Sequence, residues 1–207
     1  MTTTSGLEIE IKIQLESFTD YLKLLGYLGP IDREEHHLNA FFDSPERDLG
    51  RAGYVLRVRS TDQYGSVTLK SFVSQADALA VRQEVTGEIS STEARAIIDG
   101  RADLMALDIE PIATIRQQLP DLRPSLILQF RNERHIKRHR IGDHDLNLEI
   151  DRTEFADGST EYELEVELDD RSHFDTVYSG LERLFQLLAI PLIAQSKSKF
   201  ERALARG

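Results

Sequence analysis

Residues Glu8-Ile9-Glu10-Ile11-Lys12-Ile13-Gln14 alternate without a break between a polar side chain and isoleucine. A period of two sends successive side chains to opposite faces of an extended chain, so this segment forms a strand with one charged face and one hydrocarbon face. The pattern returns in Tyr54-Val-Leu-Arg-Val-Arg-Ser60, in Asp145 to Asp151 and in Tyr162-Glu-Leu-Glu-Val-Glu-Leu168. Carboxylates gather on some of these strands and arginine or lysine on others. A sheet that carries both kinds of row on one face can hold a metal ion and a polyphosphate together.

Strands are expected at about 7–15, 38–43, 53–60, 65–73, 80–89, 125–132, 134–141, 145–151 and 161–169. Helices fit 17–28, 91–99, 101–107, 110–119, 172–189 and 196–206, with Ser17, Ser91 and Ser172 as expected N-caps. Gly142-Asp143-His144 and Asp157-Gly158-Ser159 read as hairpin turns, and Pro120 and Pro124 end the helical middle of the chain. No linker, low-complexity tract or repeat interrupts the sequence, so residues 1–207 are expected to form one domain. Alternation alone does not say which face of the sheet turns inward. A conventional barrel places its apolar rows inside and leaves the charges in water.

The balance of 36 acidic against 25 basic residues, a formal net charge of −11, argues against a general nucleic-acid binder. Cysteine is absent, which excludes disulfides and thiolate metal sites. No apolar run approaches the ~20 residues of a membrane span, and the first residues show no secretory signal. A soluble cytoplasmic protein, monomeric or homodimeric, is the expectation.

Glu8 and Glu10 share one strand face, Glu149 and Asp151 share another with Asp145 and Asn147 in phase, and Glu163, Glu165 and Glu167 form a third row. Carboxylates two apart on a strand lie roughly 6.6 Å apart and can flank one hard cation such as Mg²⁺ or Mn²⁺. Any single row is compatible with a solvated face. Like charges packed side by side repel, so all the rows together call for a cation. The basic set is complementary. Arg57 and Arg59 share a face, as do Thr68 and Lys70, and as do Arg82, Glu84, Thr86 and Glu88. Arg131, Arg134, Arg138 and Arg140 follow, with Arg131 out of phase unless a bulge intervenes. Arginine suits bidentate phosphate binding and lysine supplies a point charge. His36, His37, His135, His139 and His144 read as surface residues or phosphate neighbours. The common phosphate-loop and hydrolase motifs are missing.

Glu8-x-Glu10-x-Lys12 resembles the ExExK motif of the CYTH, or triphosphate tunnel metalloenzyme, superfamily. Asn39-Ala-Phe-Phe-Asp-Ser-Pro45 and Leu49-Gly-Arg-Ala-Gly-Tyr-Val-Leu-Arg-Val-Arg59 resemble its next conserved stretch. Lys70, Glu84, Arg131 with Arg134, Asp151, the row from Glu163 to Glu167 and Ser196-Lys-Ser-Lys-Phe-Glu-Arg-Ala-Leu204 follow in the family's order.

The resemblance implies an α+β fold, an eight-stranded antiparallel β-barrel forming a triphosphate tunnel, with a charged interior and helices outside. It implies that Glu8, Glu10 and two of Glu163, Glu165 and Glu167 hold metal, and Asp151, from its own carboxylate row, is a further metal candidate. It implies phosphate binding by Lys12, Arg57, Arg59, Lys70, Arg131, Arg134 and either Lys197 or Lys199, and Arg138, in the same basic row, is a further phosphate candidate. Lys12, Glu84 and Glu88 are the catalytic candidates. The expected activity is hydrolysis of the terminal phosphoanhydride of a small-molecule triphosphate, first of all inorganic triphosphate, with Mg²⁺ or Mn²⁺. Thiamine triphosphatase and class IV adenylyl cyclase are the alternatives within the family, and a non-catalytic polyphosphate- or nucleotide-binding module is the alternative outside enzymology. The cyclase branch usually has His-Phe ahead of ExExK, and residues 1–7 lack it.

Overall fold

The computed structural model describes residues 3–76 and 78–206. In chain order it comprises β1 (Thr3–Leu15), α1 (Phe18–Leu28), β2 (Arg33–Asp43), α2 (Asp48–Arg51), β3 (Tyr54–Ser60), β4 (Gly65–Ala76), β5 (Leu79–Ile89), α3 (Ser91–Ile98) and α4 (Glu110–Gln118). The second half adds β6 (Ser125–Ile141), β7 (His144–Glu154), β8 (Thr160–Glu167), α5 (Phe174–Leu188), β9 (Ile193–Ala194) and α6 (Lys199–Leu204). The strands pair in the order β5-β4-β3-β2-β6-β7-β8-β1, and β1 pairs back onto β5, closing an eight-stranded antiparallel barrel. Strand β9 extends the β1 edge where β5 leaves it, through Ile13–Ala194 and Gln14–Ile193.

The apolar rows point outward. Ile11 and Ile13 of β1, Leu148 and Ile150 of β7, and Leu164 and Val166 of β8 pack against Tyr21 and Leu24 of α1 and Val177, Leu181 and Phe185 of α5. On the opposite flank Leu56, Val58, Val67 and Leu69 meet Ala94 and Ile97 of α3 and Ile112 and Ile115 of α4. Complete burial of such a side chain contributes about 1.5–3 kcal/mol, so the helical coat is what makes a charged interior sustainable. Helix α3 approaches β4 so closely that a Cβ on Gly65 would lie 2.6 Å from Ala94 Cβ. The charged interior and outer helices are therefore the reverse of the conventional barrel, as the family resemblance implied.

Several local expectations change. The strands expected at 125–132 and 134–141 are one 17-residue strand, because β6 runs past the end of β2 and continues its ladder with β7 to Ile141. Strand β2 begins at Arg33 rather than at 38. The helix expected at 101–107 is a short 3-10 turn at Leu104–Ala106. Ser90, not Ser91, caps α3 by accepting from Glu93 N. Ser172 lies in a 3-10 turn capped by Asp170 ahead of α5. Ser17 caps α1 as expected, and both hairpin turns place glycine at positive φ, Gly142 at 60° and Gly158 at 82°. Among the described residues no helix is long and apolar enough to cross a membrane.

Candidate active site in the barrel tunnel

A cavity of about 430 Å³ occupies the barrel interior, lined by Glu8, Glu10 and Lys12 of β1, Arg57 and Arg59 of β3, Lys70, Arg82, Arg134, Glu149, Glu165, Glu167 and Lys199. Strand register assembles this set. Glu10 stands opposite Glu167 and Lys12 opposite Glu165. Lys70 faces Glu84, Arg134 faces Asp151, and Glu149 and Asp151 face Glu165 and Glu163. The period of two thus turns the acidic and basic rows named here toward one space.

Most of these charges are mutually paired. Lys12 Nζ lies 2.7 Å from Glu10 Oε1 and 3.4 Å from Glu165 Oε1. Burial alone would lower the Lys12 pKa, but Glu10 and Glu165 outweigh it and raise the value. Arg82 Nη1 donates to Glu10 Oε1 at 2.7 Å, and Lys70 is clasped by Glu8 at 3.1 Å and by Glu84. Arg134 donates from Nη2 to Asp151 Oδ2 at 2.6 Å and also pairs with Glu149 and Glu165. Burial, only partly offset by Arg134 and reinforced by Glu165 and Asp151, pushes Glu149 up to about 7.

Helix α6 delivers the last cation. Ser198 and Glu201 form a reciprocal capping box, which fixes the first turn so that Lys199 reaches inward. Its Nζ lies 2.8 Å from Asp151 Oδ2 and 3.0 Å from Glu165 Oε1, and it also pairs with Glu163. One turn later Arg202 Nη2 donates to Glu163 Oε2 at 2.5 Å. Oxygens of Asp151, Glu163 and Glu165 lie within 4.8 Å of one another. The Lys199 ammonium thus sits where a cation bound by three buried carboxylates would sit, and the all-oxygen donor set fits a hard divalent ion.

Arg57 and Arg59 differ from the other cations. Among the described residues neither has a carboxylate partner: Arg59 Nε donates to Asn39 Oδ1 at 2.9 Å and Arg57 Nη2 to Thr68 Oγ1 at 3.4 Å. The buried Arg57 Nε has no hydrogen-bond partner. Burial, with Arg57 and Arg134 nearby, lowers the Arg59 pKa. Two guanidiniums with no ion-pair partner among the described residues, open to a cavity, can receive an anion.

The remaining candidates separate by phase. The β2–β6 register is regular from Arg33 to Phe41 and slips only between Phe41 and Phe42, away from Arg131, so Arg131 is exposed on the outer face while Asn132 and Arg134 line the tunnel. Arg138 keeps the inward phase but lies beyond the rim, its side chain 72% exposed beside Asp145. Lys197 is exposed, leaving Lys199 as the lysine in the tunnel. Glu88 is exposed at the barrel end. Glu84 holds Lys70; burial would raise its pKa, but Lys70 and its neighbours lower it.

Some residues in and around the cavity have no role that the sequence assigns. Arg82 and Glu149 are visible there only as members of strand rows. Arg202 could have been found three residues after Lys199 on one helix face. An aromatic wall closes one side of the cavity, with Phe41 centred 5.5 Å from Phe130 and 4.9 Å from Phe200. Its members come from three separate elements, so no local pattern announces it.

Residues 6–203 match the family model of the CYTH domain. The chain belongs to the CYTH family. No curated protein matches the sequence. Among solved structures, this CYTH domain is similar to a Hippeastrum protein assigned provisionally as an adenylyl cyclase and described as having a dominant triphosphatase activity (TM-score 0.86, 24% identity, 96% of each chain covered). It is also similar to a provisionally assigned adenylate cyclase from Bacillus halodurans (TM-score 0.75, 18% identity, 96% of this chain and 97% of that one). A protein from Pyrococcus horikoshii shares the fold at TM-score 0.62 and 16% identity, with 96% and 99% covered.

Proposed function

We propose that this CYTH domain is a triphosphatase that uses Mg²⁺ or Mn²⁺ to hydrolyse the terminal phosphoanhydride of inorganic triphosphate. The observation that carries the reading is the pair Arg57 and Arg59, cavity-lining guanidiniums with no carboxylate partner among the described residues. A polyphosphate supplies the missing counter-charge, and the paired cations Lys12, Lys70, Arg82 and Arg134 extend the electropositive track beside it. The Hippeastrum neighbour's described triphosphatase activity supports the same reading.

In this reading Glu8, Glu10, Glu165 and Glu167 would hold the divalent ion from the cavity wall, with Asp151 and Glu163 behind them. When bound, such an ion neutralises phosphate charge and acts as a Lewis acid on a phosphate oxygen. Arg57, Arg59 and Lys12 orient the phosphate chain and offset the charge that builds on the leaving pyrophosphate as water attacks the terminal phosphorus. Glu84 acts as a positioning residue that fixes Lys70, and exposed Glu88 has no part.

The aromatic wall of Phe41, Phe130 and Phe200 favours a second reading, an organic triphosphate whose ring system stacks there. One assay separates the possibilities: phosphate release from triphosphate, thiamine triphosphate and ATP, each with Mg²⁺ and with Mn²⁺, with cyclic AMP also measured. Fastest release from inorganic triphosphate supports the first reading. Tight triphosphate binding without release of phosphate from any substrate would reduce the protein to a binding module.

A further inference from the structure

We infer that the outer face of β2 and β6 carries a second metal site, of the Zn²⁺ class, built from Glu34, His36, Glu133 and His135. These four residues have the opposite phase to His37, Asn132 and Arg134, so they stand outside the tunnel wall. The strand register pairs Glu34 with His135 and His36 with Glu133, making a two-by-two tile of alternating imidazole and carboxylate. Helix α1 touches the tile at His135, through the Tyr21 ring.

The donor atoms already converge. Ligand oxygens of Glu34 and Glu133 and a ring nitrogen of His135 lie within 4.8 Å of one another. His135 Nε2 is 3.6 Å from Glu34 Oε2 and 3.8 Å from Glu133 Oε1, and His36 Nε2 is 3.1 Å from Glu34 Oε1. Tetrahedral zinc with bonds of about 2.0–2.1 Å separates its donors by roughly 3.3 Å. Small side-chain adjustments therefore suffice, and the Glu34 and His36 side chains, 51% and 57% exposed, are free to make them.

Two further contacts prepare the site. Tyr21 Oη lies 2.9 Å from His135 Nδ1. An Nδ1–H that donates to this oxygen leaves the Nε2 lone pair directed at the tile, the arrangement that metal-binding histidines use. Arg152 lies 3.6 Å from Glu133 Oε2 and leaves Oε1 for the tile. Imidazole donors select zinc-like ions over Mg²⁺, which sets this site apart from the all-oxygen tunnel.

The test uses the full chain in excess Mg²⁺, comparing wild type with the exposed double variant Glu34→Gln/His36→Gln. Zn²⁺ uptake is measured by competition with a chromophoric chelator, and the histidine ring nitrogens are followed by ¹⁵N NMR. The site is expected to bind one Zn²⁺ that the variant loses or binds at least tenfold more weakly. The Nε2 signals of His36 and His135 should shift on zinc addition while those of His139 stay in place. Equal zinc uptake by both proteins, or unmoved His36 and His135 signals, overturns the assignment.

Discussion

Lys199 Nζ lies 2.8 Å from Asp151 Oδ2 and joins the first turn of α6 to the middle of β7. Asp151 is fully buried, and its carboxylate is kept ionised only because Arg134 and Lys199 outweigh the cost of burial. Lys199→Met removes one of those cations and leaves Asp151, Glu163 and Glu165 under-neutralised. Breaking a buried pair in this way costs about 3–5 kcal/mol. Urea denaturation should show a loss of that order, and Mn²⁺ should restore more stability to the variant than it adds to wild type. An unchanged midpoint with no metal response would show that the ammonium is not standing in for a cation.

Arg59 should behave in the opposite sense. Its charge is disfavoured by burial and by Arg57 and Arg134, so the folded protein gains little from it. Arg59→Met is expected to leave stability unchanged or raise it by up to about 1 kcal/mol. The same substitution should weaken triphosphate binding by roughly 10- to 100-fold, the size of a lost charged hydrogen bond. Calorimetric titration and thermal melts on the same sample would check both halves. Lost stability with intact binding would move the anion site elsewhere.

The strands of this barrel are legible because Ile9, Ile11 and Ile13 need a hydrocarbon neighbour on one side and Glu8, Glu10 and Lys12 do not. Which side becomes the interior is a property of closure and of the helical coat, and no single strand contains it. The start of β2 is not legible for a related reason. In Arg33-Glu-Glu-His-His37 neither face is apolar, since Glu35 and His37 turn inward while Glu34 and His36 meet water, so no alternation of hydropathy exists to be read. Two separate strands across 125–141 would leave the phase of Arg131 open, whereas a continuous β6 fixes it outside.

That phase has a direct consequence. Arg131→Ala and Lys197→Ala should keep triphosphate turnover within about twofold of wild type, surface substitutions having small effects. Arg134→Ala, which strips three carboxylates of their partner, should abolish it. Steady-state kinetics on the three variants decides the matter, and a large loss in Arg131→Ala would place that side chain back in the substrate path.

His37 gives the fold a defined acid sensitivity. Its ring has no exposed surface, and burial together with Arg59, Arg134 and Arg57 drives its pKa far below the usual histidine value of 6.5. Below that pH the unfolded chain takes up a proton on His37 that the folded chain refuses. The stability contributed by the neutral ring is therefore complete above pH 6.5 and declines as the pH falls, by at most about 1.4 kcal/mol per pH unit. Relative to His37→Gln, wild type should lose stability between pH 6.5 and 5 in metal-free buffer, measured by urea midpoints. Parallel curves for the two proteins would mean that Glu35, which lies 2.8 Å from His37 Nε2, accommodates the charged ring.

Glu10 separates binding from chemistry most cleanly. It holds Lys12 and Arg82, each at 2.7 Å, and it stands opposite Glu167, whose pKa is raised by burial and by the Glu8 and Glu10 charges. Mutual repulsion within this group is what a divalent ion would relieve. Glu10→Gln keeps the side-chain volume and frees two cations for phosphate, so triphosphate affinity should hold or improve. Loss of a partner one shell out from a metal costs about 10- to 100-fold, so loss of a ligand should lower kcat by at least about 100-fold. The variant's residual rate should also need more Mn²⁺ to saturate. Equal turnover at equal metal would remove Glu10 from the metal site and shift that role to the Asp151, Glu163 and Glu165 group.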